Sequence, residues 1–288
     1  PETLGAEFFT RNVNERSKGE LRIQFFPAKQ LGESHQLMEG IKVGTVDLQT
    51  TNIGTLGKFV KEFYGMEGGY LFQDKERMLR AVKGGLGDDL RWRALREAGI
   101  RVLSFYYHGE RHLTTTSKPV YHPADLKGML IRVPPQDNWI ATFKALGANT
   151  VTINFHEVYM ALKMGAADGQ ENPISSISAM KFYEVQKYLM LTAHMITAGI
   201  FVINEEKFKG LPDPLKKILI EEAERAGEYA GLQYMKQDEE LLPQMKKHMT
   251  VIEVNKAEFE KAAQDGGMEK WFARQLGEEL YRRIKDTK

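Results

Sequence analysis

The stretch Asp125-Leu126-Lys127-Gly128-Met129-Leu130-Ile131-Arg132-Val133-Pro134 decides the fold class. From Met129 onward it is apolar on both alternating sides, with Met129, Ile131 and Val133 on one face and Leu130 on the other. A strand buried on both faces belongs to the interior of a parallel sheet, where helices cover both surfaces. Arg132 is the single charge in that run, and Pro134 and Pro135 stop the strand just beyond it. In open α/β sheets, ligands bind at that carboxyl end. A guanidinium buried there needs an anionic partner, because an unpaired buried charge is costly. The adjoining strand is read as offering no acid, so Arg132 is assigned to a ligand carboxylate. A bidentate guanidinium–carboxylate pair gives orientation as well as energy, which lysine does not reproduce.

Outward from that strand, the elements alternate between helical and strand patterns, the signature of α/β architecture. Helices are predicted over residues 4–17, 33–43, from Lys75 behind an Asp74 cap, over 86–98, 137–146 and 156–164. Strands are predicted at 21–26, 46–51, 100–107, 111–116, 150–153, 189–192 and 200–203. From Asp213 to about Met249 the pattern is nearly unbroken helix, interrupted at Pro243, and long enough to brace two lobes. The tail is helical with two glycine interruptions. The methionines at 160–164 and 190–195 are read as core.

At 288 residues, two domains are the default expectation. Apolar residues make up 42% and charged residues 27%, ordinary values for a folded protein with sizeable cores. With 40 basic and 39 acidic residues the chain lacks the basic excess of a nucleic-acid partner, so none is expected. Cysteine is absent, which excludes disulfides, thiolate metal sites and a cysteine nucleophile. No apolar run reaches the roughly 18 residues of a membrane span. Pro1-Glu2-Thr3 opens straight into a helical pattern, as in a chain whose signal peptide has been removed, though a cytoplasmic protein would read the same.

A second stretch, Asp168-Gly169-Gln170-Glu171-Asn172-Pro173, joins the first in carrying a resemblance. It is accompanied by Gly19-Glu20-Leu21-Arg22-Ile23, Gly44-Thr45-Val46-Asp47, Tyr70-Leu71-Phe72-Gln73-Asp74, Gly109-Glu110-Arg111, Ala145-Leu146-Gly147-Ala148 and Glu157-Val158-Tyr159. In order and spacing these motifs resemble the extracytoplasmic, DctP-type solute-binding proteins of TRAP transporters over nearly the whole chain. The resemblance implies a periplasmic-binding-protein-like (type II) α/β fold, two lobes around a cleft with a long helix spanning both. It implies lobes of 1–109 with 198–237 and 110–197 with 238–288. It also implies a monomer in the periplasm that hands a small organic acid to TRAP membrane permease subunits, with sodium driving uptake and no cofactor involved. Arg132 would pair with the ligand carboxylate, Arg111 and Asn172 would add hydrogen bonds, and Phe155 would pack on the ligand body. Ser34 and Asn52 would face the cleft from the amino-terminal lobe. Family members usually place a strand ahead of the first helix, and this sequence starts at that helix.

Several residues carry a plainer reading. Trp139 is included among the ligand contacts, although packing explains it as well. Asn172 before Pro173 also suits a turn or cap. Asp168 is good turn chemistry before Gly169, and Glu171 could hold Arg132 or a backbone amide. His108 and His112 would match zinc-ligand spacing only on a helix, and this stretch reads as strand, so no metal site is expected. No nucleophile–base pair, phosphate loop or dinucleotide motif is present, so no catalytic residue is assigned. Two rival functions use the same residues: a sensor domain of this fold, or an enzyme acting on an organic acid with Asp168 or Glu171 as base. The ligand classes the polar residues suit are hydroxyl-rich sugar acids and short dicarboxylates.

Overall fold

Two long strands set the frame of the protein, seen in a computed structural model that describes residues 1–28 and 30–287. In chain order the strands are β1 (Leu48–Asn52), β2 (Ile100–Thr115), β3 (Leu130–Val133), β4 (Asn149–Thr152), β5 (Gly169–Asn172), β6 (Tyr188–Asn204) and β7 (Thr250–Glu253). The helices ahead of β2 are α1 (Glu2–Arg16), α2 (Ser34–Val43), α3 (Glu62–Gly65), α4 (Lys75–Lys83) and α5 (Gly85–Arg93). Between β3 and β6 lie α6 (Asp137–Ala145), α7 (Val158–Lys163) and α8 (Ile174–Ala179). After β6 come α9 (Glu205–Lys209), α10 (Asp213–His248), α11 (Lys256–Asp265), α12 (Met268–Leu276) and α13 (Glu278–Asp286).

The strands form one sheet in the order β1-β6-β2-β5-β3-β4, with β7 also pairing β6. β2 and β6 pair antiparallel along their length. At one end β6 carries β1; at the other it carries β7, and β2 carries β5. β3 lies parallel to both β4 and β5, as its two-sided apolar pattern requires. Two strands thus run through the centre of the sheet, and each was predicted as a pair of shorter ones. The break in the apolar pattern at 108–110 is a bulge: the ladder shifts register between Tyr107 and Glu110, and Gly109 takes φ +100° against Pro173. A bulge bends a strand without ending it.

α10 is the other element that spans the molecule. Its 36 residues extend about 54 Å at 1.5 Å rise per residue. Pro243 lies inside it and does not end it, contrary to the predicted interruption. Of the small residues in its buried stripe, Gly227 and Gly231 let the helix lie close on β2, while Ala226 and Ala230 lie against Gly5 of α1. Ser104 Oγ donates to the Ala223 carbonyl at 2.8 Å across that contact.

Two further expectations are corrected. Residues 21–26 form no strand, because no neighbouring strand pairs with them among the described residues. Met190 and Met195 are core, whereas Met160 and Met164 are exposed, since α7 buries the face that carries Val158 and Leu162.

Close packing at the centre of the sheet gives a direct check. A Cβ added at Gly199 on β6 would fall within the ring of Tyr106 on β2. Gly199→Ala is therefore expected to cost about 1–3 kcal/mol, the usual penalty for overpacking, in urea denaturation. An unchanged midpoint would contradict this packing.

Candidate functional site

The turn before β3 is tied by its own acid: Asp125 Oδ2 accepts from the backbone N–H groups of Tyr121 and His122 at 2.9 and 3.0 Å. Asp168 then pins the start of β3 to β5, its Oδ2 accepting from Leu130 N at 2.8 Å while its own N–H donates to the Leu130 carbonyl at 2.8 Å. These contacts carry Arg132 to the carboxyl end of β3, where its side chain is only 1% exposed. Nε and Nη2 both donate to the Ile153 carbonyl, at 2.8 and 2.5 Å. Nη1 is buried and has no partner.

An acid does stand on the neighbouring strand, contrary to the reading from sequence. Arg132 pairs in register with Gln170 of β5, and Glu171 is the next residue. Glu171 nevertheless does not hold Arg132. Arg111 on β2 takes it in a bidentate pair, Nε to Oε2 and Nη2 to Oε1, the latter at 2.9 Å, with a further bond from Nη2 to the Glu171 carbonyl at 3.1 Å. His194 on β6 adds a third contact, Nε2 to Oε2 at 3.3 Å. The ionised Glu171 only accepts, so Nε2 is the donor, and in the neutral ring Nδ1 then accepts from the Thr192 hydroxyl at 2.8 Å. Burial does lower the His194 pKa, with Glu171 opposing.

The charge states follow from these partners. Burial alone would raise the Glu171 pKa, but Arg111 and His194 outweigh it and hold the carboxyl at about 2. Burial pulls Arg132 down to about 10, with Glu171 and Glu33 opposing and Arg111 reinforcing the fall. Both groups are ionised at neutral pH. One carboxylate thus sits among two guanidiniums, and the surplus positive charge is that of Arg132. Nearby Glu67 is fully buried, and burial drives its pKa well above the ordinary value, opposed by Arg111.

Arg132, Arg111 and Asn172 share the wall of a cavity of about 660 Å³. Asn172 is 3% exposed, and its amide is engaged on both sides: Oδ1 accepts from Arg111 Nη2 at 2.9 Å, and Nδ2 donates to Gln170 Oε1 at 2.5 Å. Phe155 lines the same cavity, edge-on to Phe182. From the opposite side come Ser34 at the start of α2 and Asn52 at the end of β1, whose Oδ1 caps the following turn by accepting from Thr55 N at 3.0 Å. The cavity continues along residues 24–28 and the free edge of β1. Trp139, expected at the ligand, is instead fully buried away from the cavity wall, its ring 5.2 Å from the Arg111 guanidinium. It supports Arg111 as a cation–π partner.

The sequence reading missed His194 and Gln136. His194 stands in an apolar run with no recognisable spacing to Glu171. Gln136 lines the cavity directly after Pro135, and its place just past the end of β3 was the available signal. His108 bonds Glu2 and His112 accepts from Ala193 N, so neither imidazole faces the other as a ligand pair.

An α/β frame crossed by two long strands, with an under-compensated arginine in a cavity wall, defines a protein that binds an anion in a cleft. Comparison with known proteins agrees. Residues 1–273 match the DctP family, described as bacterial extracellular solute-binding protein, family 7. The chain belongs to this family, the solute-binding proteins of TRAP transporters. It is 35% identical over 226 residues to the 2,3-diketo-L-gulonate-binding periplasmic protein YiaO of Escherichia coli, covering 78% of this chain and 69% of that one. It is 30% identical, with TM-score 0.93, to a TRAP periplasmic solute-binding protein from Polaromonas bound to D-erythronate, covering 100% of this chain and 94% of the other. A third, from Roseobacter denitrificans with bound β-D-glucuronate, shows 26% identity and TM-score 0.94, covering 99% and 95%. No helix among the described residues is long and apolar enough to cross a membrane.

Glu171→Gln tests the electrostatics of this wall. The native pKa of Glu171 lies below its ordinary 4.5, so its stabilising contribution is present above about 4.5 and is lost as pH falls through about 2. The variant is expected to lose on the order of 3 kcal/mol at pH 7. The gap to wild type should shrink below pH 4.5. A gap that does not change with pH in urea titrations would contradict the assignment.

Proposed function

We propose that this chain is the periplasmic capture component of a TRAP transporter. It takes up a small organic acid and delivers it to a sodium-coupled membrane permease. The observation that carries the reading is Arg132: a protonated, buried guanidinium on the cavity wall with one nitrogen unpartnered, while the carboxylate of the adjoining strand, Glu171, is committed to Arg111. A ligand carboxylate supplies the missing charge, with Arg111 and Asn172 shaping the surface beside it and Phe155 packing on the ligand body. Ser34 and Asn52 meet its far end. Relatives described as bound to D-erythronate and β-D-glucuronate support an acid as the ligand class.

The lobes divide, in this proposal, at 1–109 with 198–237 against 110–197 with 238–288. The register shift that separates the Tyr107–Ala198 pair from the Glu110–Ile196 pair supports that boundary, since an interrupted ladder is where two long strands bend most easily. Closure around the ligand excludes water and strengthens the charge pair. It also distinguishes loaded from empty protein, as a population shift driven by the ligand's preference for the closed state.

An enzyme reading gains no support from the carboxylates. Asp168 is spent on Leu130 N, and a Glu171 held at about 2 is a poor general base.

Arg132→Ala and Arg132→Lys are both expected to weaken acid binding by ~2–5 kcal/mol in titration calorimetry. Their circular dichroism should remain that of the wild type. Wild-type affinity in both variants would contradict the assignment, and turnover of the acid by the purified protein would favour an enzyme.

A further inference from the structure

Glu67 is a buried acid that the anion-binding wall does not use. It follows α3, its side chain is fully enclosed, and its segment is pinned to α6. Asn138 Nδ2 donates to the Glu67 carbonyl at 2.7 Å, and Gly69 N donates to Thr142 Oγ1 at 2.9 Å. The carboxyl accepts at Oε2 from Gly54 N at 3.0 Å, and its Oε1 has no partner. Among the described residues no cation is bonded to it. Arg111, which acts on it from β2, is bound through two nitrogens to Glu171. Glu171 on β5 opposes its ionisation, Glu62 of α3 is paired with Arg93 at 3.1 Å, and Asp137 of α6 is exposed. A carboxylate enclosed with neutral partners alone is costly, so such a group keeps its proton. Burial, which raises the pKa of Glu67 well above its ordinary value, supports the same state.

Gln136 meets this acid from the cavity wall. A Cβ built on Gly54 would strike both Glu67 Oε2 and Gln136 Oε1, so those two oxygens crowd one small space. Two acceptors cannot face each other there without a hydrogen between them. With Glu67 neutral, its O–H donates to Gln136 Oε1 and the amide stays as it stands. With Glu67 ionised, the amide turns over so that Nε2 donates to the carboxylate. Oε1 is the sealed end of this amide, and the residue lines the cavity. The neutral acid thus leaves N–H groups toward the cavity, whereas the carboxylate leaves a carbonyl oxygen there. An anion is attracted by the first and repelled by the second.

Resting on the reading of the cavity as an anion site, we propose that Glu67 is a neutral carboxylic acid whose O–H keeps the N–H groups of Gln136 turned to the cavity, and that losing this proton reverses the amide and weakens capture. Glu67 touches no ligand. It is a positioning residue that acts through Gln136 and makes acid capture proton-linked.

Two measurements on the purified protein test this. In infrared difference spectra at about pH 7, wild type minus Glu67→Gln, the carbonyl band of a protonated carboxylic acid is expected. Titration calorimetry with gluconate, 2,3,4-trihydroxybutanoate and succinate, from about pH 6.5 to about pH 9.5, reads the linkage. Wild-type affinity is expected to fall about tenfold or more beyond any fall shared by Glu67→Gln, whose amide cannot ionise. Arg132, at about 10, and Asp238, raised by burial to about 7, titrate in both proteins, so the difference isolates Glu67. Gln136→Leu, with no amide to turn, should bind more weakly and share the flatter profile of Glu67→Gln. Absence of the infrared band would overturn the neutral acid. A wild-type profile parallel to that of Glu67→Gln would overturn the proton linkage, and a Gln136→Leu profile as steep as wild type would overturn the amide as its agent. Failure of all three acids to bind at any pH would overturn the anion reading of the cavity, with the infrared band deciding the state of Glu67 by itself.

Discussion

Glu171 can fully serve only one of two buried arginines, and it serves Arg111. The rest of the site follows from that unequal division. Glu171 is over-supplied with donors, and its pKa falls to about 2 in spite of complete burial. Arg132 is under-supplied, and its pKa falls as well, toward about 10. For an acid, a fall means its charge is stabilised; for a base, it means its charge is not. The opposite meanings of the same direction locate the deficit on Arg132. A buried cation short of one partner is destabilising by itself. Under the proposed function, a ligand carboxylate completes it.

The fold explains how two guanidiniums come so close yet remain distinct. Arg111 and His194 sit on the two long strands that cross the molecule, and Glu171 lies on β5 between β2 and β3. Arg132 comes from β3, one strand farther out, where its side chain reaches the Ile153 carbonyl just past β4. The satisfied half of the network is therefore built around the two long central strands, backed by Trp139. The unsatisfied half stands at a strand terminus, facing the cavity. α10 lies along β2 through Gly227 and Gly231.

Much of this was legible in the sequence, and the failures have physical causes. The two-sided apolar pattern around Arg132 gave the parallel strand, and the motif order gave the family. Residues 21–26 alternate like a strand, yet a strand exists only by pairing, and alternation records no partner. β2 and β6 were each divided because a bulge breaks the period of two without breaking the ladder. Glu171 was read as holding Arg132 or a backbone amide and instead pairs with Arg111, since strand order, not spacing, decides which side chains meet. Trp139 lies seven residues past Arg132, but one turn of α6 rotates it under Arg111 and away from the cavity. Gln136 carried no signal in composition; its place on the cavity wall follows from its position just past the end of β3.

A crystal structure of the protein with a bound acid tests the central claim most directly. The ligand carboxylate is expected within hydrogen-bonding distance of Arg132 Nη1, with Glu171 still paired to Arg111. A carboxylate seated elsewhere, or an Arg132 turned onto Glu171 beside an occupied cleft, would contradict it.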